Sequence, residues 1–300
     1  MAGNDARQDG RDPHAPAPAS VPAQRGRGRA RRHVVVFLRL PVAGEVKTRL
    51  MAGLGADGGS KAARFYGACA GHVVREALGC TGVARVWVFY SRAGDGDAVE
   101  AFVRECVGEV PWRQGGVRLR FRAQRGDTGD LGAKMWGAFQ DVFRSVLEEG
   151  SEAEAEAEAE SGVGCEHVVL MGTDVPGVTS RDVERAFEGL EGETGAEVVV
   201  CPSEDGGYWA IGMRDDAGRR SGVKGLLVGE RAPTWSTPGV LASTRAAAEE
   251  EHVRLGVEGM RVLSDIDTRE DLEEWVRRAE ADKGAGVDAT LLGIARDILT

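Results

Sequence analysis

Residues 33–50 read HVVVFLRLPVAGEVKTRL: a run of valines, Phe37, Leu38 and Leu40, then Pro41, a solitary Gly44, and the cations Lys47 and Arg49. An almost unbroken apolar run of this length suits a central parallel strand buried on both faces. In open α/β sheets, ligands bind just beyond the carboxyl ends of such strands. The segment is not a Walker loop, whose GxxxxGK[ST] pattern needs a second glycine. Even so, Arg39, Lys47 and Arg49 set three cations around a turn stiffened by Pro41. With Gly44, Thr48 and the amides of a following helix, they suit a di- or triphosphate. The competing reading is a basic turn paired with surface acids.

The strand–turn pattern recurs along the chain. Strands are expected at 33–40, 83–90, 117–123, 166–171, 197–201, 208–213 and 261–264, and helices at 60–78, 131–149, 179–190, 240–255 and 269–281. Ala62, Tyr66, Cys69, Val73 and Ala77 recur at helical spacing behind Ser60 as N-cap. VRLRFRA (117–123) alternates apolar and arginine residues, as a half-exposed strand near an edge would. Alternating strands and helices predict an α/β fold with an open sheet.

Composition narrows the classes. The 300 residues carry a net charge of −10, although arginines outnumber acids in the first 32. An acidic body argues against a nucleic-acid surface while leaving room for one basic pocket. Residues 1–32 are expected to form a disordered Arg/Pro/Gly-rich tail, and EAEAEAEAE within 150–162 a solvated acidic insertion. The main domain then spans 33–282, followed by an extension over 283–300. No apolar run is long enough for a membrane span. The five cysteines form no CxxC pair and read as reduced thiols. A cytoplasmic protein is expected, with an organelle as the alternative if the tail is a transit peptide. The five histidines show no HxH or HExxH spacing, and no GxSxG elbow occurs.

Polar segments follow four more of the expected strands. GTDVPG puts Thr173 and Asp174 beyond 166–171, where a carboxylate can take one or two positions on Mg²⁺. The helix after it already has Thr179 or Ser180 as a cap. DIDTRED, after 261–264, offers Asp265 and Asp267, with Thr268 and Asp271 forming a helix cap. PSEDGGY offers Glu204 and Asp205 ahead of Gly206, Gly207 and Tyr208; this is a ligand-approaching turn, a tight hairpin, or both. In QRGDTGDLG (124–132), Gln124 could approach a base or sugar, while Asp127 or Asp130 could instead cap the next helix.

FLRLPVAGEVKTRL, QRGDTGDLGAKM, GTDVP, SEDGGYWAIG, TWST and DIDTREDL stand in an order that resembles a glycosyltransferase-like family. That family is described as radical-SAM/selenodomain-associated transferase 1, or as an arsenosugar-biosynthesis glycosyltransferase, within the nucleotide-diphospho-sugar transferase superfamily. The resemblance covers roughly residues 33–280 and extends to phospholactate and molybdenum-cofactor guanylyltransferases. It implies a GT-A-like, Rossmann-related fold with a mixed, mostly parallel central sheet flanked by helices. It also implies Lys47 and Arg49 at nucleotide phosphates, Arg39 where the family usually has lysine, and a divalent metal (Mg²⁺ or Mn²⁺) at Asp174 and Asp267. Asp205, Gly206, Gly207 and Tyr208 would face the sugar or acceptor. Trp235 and Ser236 match the family's tryptophan segment, for which a core tryptophan is the alternative reading.

The implied substrates are a nucleotide sugar or an NTP, plus a small-molecule acceptor, with no nucleic acid or membrane partner and a homodimer left open. Glycosyl transfer is expected first. Nucleotidyl transfer with pyrophosphate release is the alternative, since the same cations serve both reactions. Asp205 is the candidate general base. A non-catalytic nucleotide-sugar-binding protein is the reading of another class.

Overall fold

The structure is a computed structural model; it describes residues 31–108, 118–125, 130–149, 166–191, 195–281 and 287–300. Residues 1–30 of the expected tail, the acidic insertion at 150–162, Asp127 and Cys165 lie outside the described residues.

The chain alternates strands β1 (Arg31–Leu38), β2 (Val83–Tyr90), β3 (Arg118–Ala123), β4 (Glu166–Met171), β5 (Val198–Pro202), β6 (Tyr208–Arg214) and β7 (Leu255–Gly256) with helices. The helices are α1 (Thr48–Gly53), α2 (Gly58–Gly79), α3 (Gly96–Val107), α4 (Leu131–Glu149), α5 (Ser180–Leu190), α6 (Ser221–Gly225), α7 (Val240–Glu250), α8 (Arg269–Ala281) and α9 (Ala289–Leu299). The strands form one seven-stranded sheet ordered β3-β2-β1-β4-β6-β5-β7. β6 runs antiparallel to both neighbours, and the other pairings are parallel.

Strand order locates the site. The chain steps outward from β1 through β2 to β3, then crosses to the other side of β1 to lay down β4. The carboxyl ends of β1 and β4 therefore flank a topological switch point, where open sheets leave a crevice.

The sheet is buried on both faces, as its apolar runs predict. Val34, Val36 and Leu38 pack under α2, α3 and α5. Val35, one residue out of phase, packs on the opposite face with α4, α6 and α7. This is the period-2 alternation of a strand applied to both faces at once. A third cluster lies outside the sheet, where α2 turns Ala62, Phe65 and Cys69 toward Leu50 of α1, Leu272 and Val276 of α8, and Leu291, Ala295 and Ile298 of α9. The residues after 282, read above as an extension, thus contribute a helix to the core. Asp288 caps it by accepting from the Thr290 and Leu291 amides.

Several boundaries differ from expectation for identifiable reasons. β1 starts at Arg31 because Arg31 and Arg32 reach Glu166 and Glu191 at 2.7 Å. It ends at Leu38 because the Val42 amide turns back to the Leu40 carbonyl. Residues 261–264 form no strand. Leu263 makes one isolated parallel bridge to Ser203, beside Pro202, which has no amide to extend a ladder. The seventh strand is Leu255–Gly256 instead. The helix expected to reach 255 stops at Glu250, because His252 is left-handed (φ 52°) and the Val253 amide closes back on the Ala248 carbonyl. Helix α2 begins two residues before Ser60, and Asp57, at its N-cap position, makes no side-chain capping bond. The caps at Thr179 and Thr268 form as expected, each reciprocated by the aspartate three residues on. VRLRFRA supplies the edge strand β3, with Leu119 and Phe121 on the core side and Arg122 over the Trp87 ring on the other.

Among the described residues, no helix is long and apolar enough to cross a membrane. Cys69, Cys80, Cys106 and Cys201 are free thiols.

Candidate functional site

A cleft of about 590 Å³ opens at the carboxyl edge of the sheet, over the switch point. Its centre is a cluster of charge. One carboxylate oxygen from each of Asp174, Asp265 and Asp267 lies within 4.8 Å of the others. Lys47 reaches in from the turn after β1 and donates to Asp174 Oδ2 at 3.0 Å and Asp267 Oδ1 at 2.7 Å. Arg49 reaches Asp267 Oδ2 at 3.3 Å but stays largely in solvent.

Local structure explains the convergence. Lys47 stands just before α1 with φ 47° and ψ 50°, a left-handed conformation costly for a residue with a side chain. That backbone turn aims its side chain inward, where only 8 % remains exposed. Val46 beside it is buried against Ala63 and Tyr66 of α2 and anchors the turn. Asp174 lies three residues beyond β4, and its carbonyl accepts from the Ile266 amide at 3.2 Å. That bond draws the 265–267 segment alongside, so Asp265 and Asp267 arrive without a strand to carry them. The Asp271 carboxylate then holds the Asp267 and Thr268 amides at 3.0 and 2.7 Å. Asp271 is structural, as the sequence suggested.

The electrostatics are unbalanced. Burial by itself would lower the Lys47 pKa, but Asp174 and Asp267 outweigh it and the ammonium is raised. Asp265 is pushed up to about 6, first by burial and then by the charges of Asp174 and Asp267, with Lys47 opposing. Three carboxylates against one buried ammonium leave an excess of negative charge. A hard divalent cation, which takes oxygen ligands, fits that donor set.

The remaining expected residues divide. Arg39, Thr48, Gln124, Thr173, Asp205, Gly207, Tyr208, Trp235 and Ser236 line the same cleft. Several have structural duties there. The Thr173 hydroxyl bonds the Phe37 carbonyl at 3.2 Å and the Tyr66 hydroxyl at 2.8 Å, and Tyr66 in turn accepts from the Arg39 amide at 3.0 Å. This relay ties the ends of β1 and β4 to α2. Gln124 Nε2 donates to the Phe89 carbonyl at 3.2 Å. Asp205 Oδ1 holds the β5–β6 hairpin by accepting from Ser203 Oγ and from the Gly207 amide. Tyr208 and Trp235 meet edge to face at 6.2 Å and form an aromatic wall.

Three expected residues are not part of the cleft. Glu204 points outward and pairs with Arg278 at 2.6 Å. Gly206 takes φ 86°, and a Cβ there would fall 2.1 Å from the Pro238 carbonyl oxygen, so its role is the hairpin turn. Gly44, also at positive φ, lies exposed on the outer side of the loop and not among the residues facing the cavity. The hairpin reading of EDGGY therefore holds, and Asp205, Gly207 and Tyr208 of that motif also line the cleft. Asp130, one of the two acids expected there, serves the start of α4, accepting from the Gly132 amide at 2.9 Å.

Sequence reasoning missed Tyr66, Lys134 and Ser203 as cleft residues. In the sequence Tyr66 reads only as one apolar position of a helix. Lys134 stands inside the quoted motif QRGDTGDLGAKM, in the first turn of α4, and its charge was the available signal. A backbone signal also marks the site: of the described non-glycine residues at positive φ (Lys47, Ser236 and His252), two line the cleft. Such strain tends to collect at functional positions.

Known proteins similar to this chain include one family model and several solved structures. A protein-family model described as "Uncharacterized protein conserved in bacteria (DUF2064)" matches residues 75–223. No curated protein matches the chain. Among solved structures, a candidate nucleotide-diphospho-sugar transferase from Desulfovibrio desulfuricans G20 aligns with a TM-score of 0.65 at 24 % identity, over 90 % of this chain and 98 % of that one. The likeness shows the fold: a mixed α/β sheet of the nucleotide-diphospho-sugar transferase type. Weaker matches include a CMP:2-keto-3-deoxy-manno-octonic acid synthetase complexed with CTP (TM-score 0.47, 15 % identity, 85 % of this chain and 100 % of that one). Another is a cytidylyltransferase from Leptospira borgpetersenii (TM-score 0.45, 11 % identity, 84 % of this chain and 88 % of that one).

Proposed function

We propose that the protein is a divalent-metal-dependent transferase that uses a nucleotide-activated sugar as donor. The observation that carries this reading is the Asp174–Asp265–Asp267 cluster at the switch point, with Lys47 bonded to two of its members. The fold shared with the Desulfovibrio protein, itself described as a candidate nucleotide-diphospho-sugar transferase, supports it. So does the order of motifs resembling the radical-SAM/selenodomain-associated transferase 1 family.

In glycosyl transfer, the bond between the sugar's anomeric carbon and the β-phosphate oxygen breaks, and its electron pair leaves with the nucleoside diphosphate. An acceptor oxygen forms the new bond to that carbon and gives up its proton. Asp174, Asp267 and Asp265 would hold Mg²⁺ or Mn²⁺, which supplies charge compensation for the leaving diphosphate. Lys47, Arg49 and Arg39 orient the phosphates and stabilise the same growing charge. Asp205 is the proposed base. Its Oδ1 holds the hairpin, while Oδ2 accepts no hydrogen bond among the described residues. The aromatic wall of Tyr208 and Trp235 excludes water from the reacting atoms.

Nucleotidyl transfer is the second reading, favoured by the basic turn that follows β1 directly and suits a triphosphate. There an acceptor phosphate oxygen attacks the α-phosphorus and pyrophosphate leaves. One experiment separates the two: incubation with Mn²⁺ and nucleotide sugars, and separately with labelled NTPs. Nucleoside diphosphate release from nucleotide sugars is the expected outcome. Pyrophosphate release instead would overturn the first reading, and no Mn²⁺-dependent binding of either nucleotide class would overturn both.

A further inference from the structure

Beyond Lys47, Arg49 and Arg39, the cleft holds a fourth cation that the acidic triad does not account for. Lys134 lies in the first turn of α4, half-buried and facing the cavity. Among the described residues, no carboxylate, carbonyl or hydroxyl pairs with its ammonium. The other cleft cations are engaged: Lys47 and Arg49 by the acids, and Arg39 by the Glu45 carbonyl at 3.4 Å. An ammonium that lines the cleft without a partner among the described residues is placed to take an anion from a ligand.

Its position matters more than its charge. The Lys47 turn is anchored to α2, on the face of the sheet that carries Val34 and Val36. Helix α4 packs on the opposite face, with Val35, Leu170 and Ile211. The two sets of cations therefore approach the cleft from opposite sides. Lys134 belongs to the side of Tyr208 and Trp235, since both rings pack on that second core and a Cβ at Gly132 would lie 2.7 Å from the Trp235 indole nitrogen. Leu131, 39 % exposed, and Val240 add apolar surface on this side.

We propose that Lys134 binds an anionic group, a phosphate or carboxylate, on the acceptor, whose ring or apolar body rests against Tyr208 and Trp235. The inference rests on the transferase reading and deepens it by naming the acceptor's chemistry. The donor's phosphates belong to the opposite pole, at Lys47, Arg49 and the acids. A substrate pair with one anion at each pole is thereby held across the switch point with its two charges apart.

Phenyl phosphate is the probe, with benzyl alcohol as its neutral counterpart, titrated by calorimetry into the wild-type chain, Lys134→Met and Lys134→Arg. Wild type is expected to prefer phenyl phosphate, and Lys134→Met to weaken it roughly 10- to 100-fold, the range of one charge-assisted hydrogen bond. Lys134→Arg should keep most of the affinity, showing that charge rather than folding is at stake. Benzyl alcohol binding should be the same in all three. Equal phenyl phosphate affinity in wild type and Lys134→Met overturns the proposal. So does weakening confined to nucleoside diphosphates in the presence of Mn²⁺, which would assign Lys134 to the donor. Mn²⁺ binding, followed by electron paramagnetic resonance, keeps the two ideas separable. Its absence in wild type refutes the transferase reading, whereas normal Mn²⁺ binding with an insensitive Lys134→Met refutes this inference alone.

Discussion

Replacing Lys47 by methionine keeps most of the side chain's length and removes the only buried positive charge bonded to the acidic cluster among the described residues. At 2.7 and 3.0 Å from its two partners, an effective dielectric of about 20 gives a gross attraction of ~6 kcal/mol each. Desolvation of the ammonium offsets much of that. Both carboxylates also keep more than a third of their surface in water, which screens the pairs further. A net loss of about 2 kcal/mol is expected in the metal-free protein, or a Tm lower by about 4–8 °C at this size. The same change acts oppositely on a divalent ion. With the competing ammonium gone, the three acids should bind Mn²⁺ about tenfold more tightly, while turnover falls roughly 10²–10³-fold because Lys47 no longer meets the leaving phosphates. Thermal melts in EDTA and Mn²⁺ titrations of both proteins measure the first two effects. A variant that melts with wild type in EDTA, or that binds Mn²⁺ more weakly, would refute this account of the site.

Asp265, raised to about 6 from an ordinary 3.8, binds its proton more tightly in the native than in the unfolded chain. Its contribution to metal-free stability is therefore greatest at low pH and is lost as pH rises toward 6. Mn²⁺ needs the ionised form, so the rise in Tm that it produces should fade as pH drops through about 6; a pH-independent rise would remove Asp265 from the ligand set. Gly132→Ala would place a methyl 1.8 Å from the Leu227 carbonyl oxygen and 2.7 Å from Trp235 Nε1, so urea unfolding should show a loss of about 3 kcal/mol. Tyr66→Phe breaks the relay from the Arg39 amide to Thr173 and should cost about 1–2 kcal/mol in the same assay, with nucleotide affinity falling as the loop loosens.

Much of this architecture can be read from apolar periodicity. The runs at 83–90 and 166–171 became strands with those limits, and 131–149 and 269–281 became helices with theirs, because each is bounded by a turn residue or a cap. Helices α3 and α9 carried the same signal. Val99, Val103 and Val107 repeat every fourth residue, as do Leu291 and Ala295, followed by Ile298. The amphipathic face of α9 makes sense only against α2 and α8, which are distant in sequence. The orientation of β6 was legible only through the hairpin reading of EDGGY. Its pairing with β4 was not, because sheet order is a long-range property.

The site shows the same division between local and distant signals. Asp174 and Lys47 could be found because each follows a buried strand, and the rule for open sheets then points to their common edge. Asp267 was reached by a flawed route, since the strand expected before it does not exist. It arrives because the Ile266 amide bonds the Asp174 carbonyl and Asp271 holds the Asp267 amide. Glu204 shows why chemistry-bearing residue types are a weak guide by themselves. It sits beside Asp205 in the same motif, yet in a hairpin neighbouring side chains point apart, and Arg278 takes it on the outer side. What separates Asp205 from Glu204 is direction, and direction is set by the left-handed turn at Gly206, which the Pro238 carbonyl keeps free of any side chain. The position in that motif that does not line the cleft therefore decides which of its acids does.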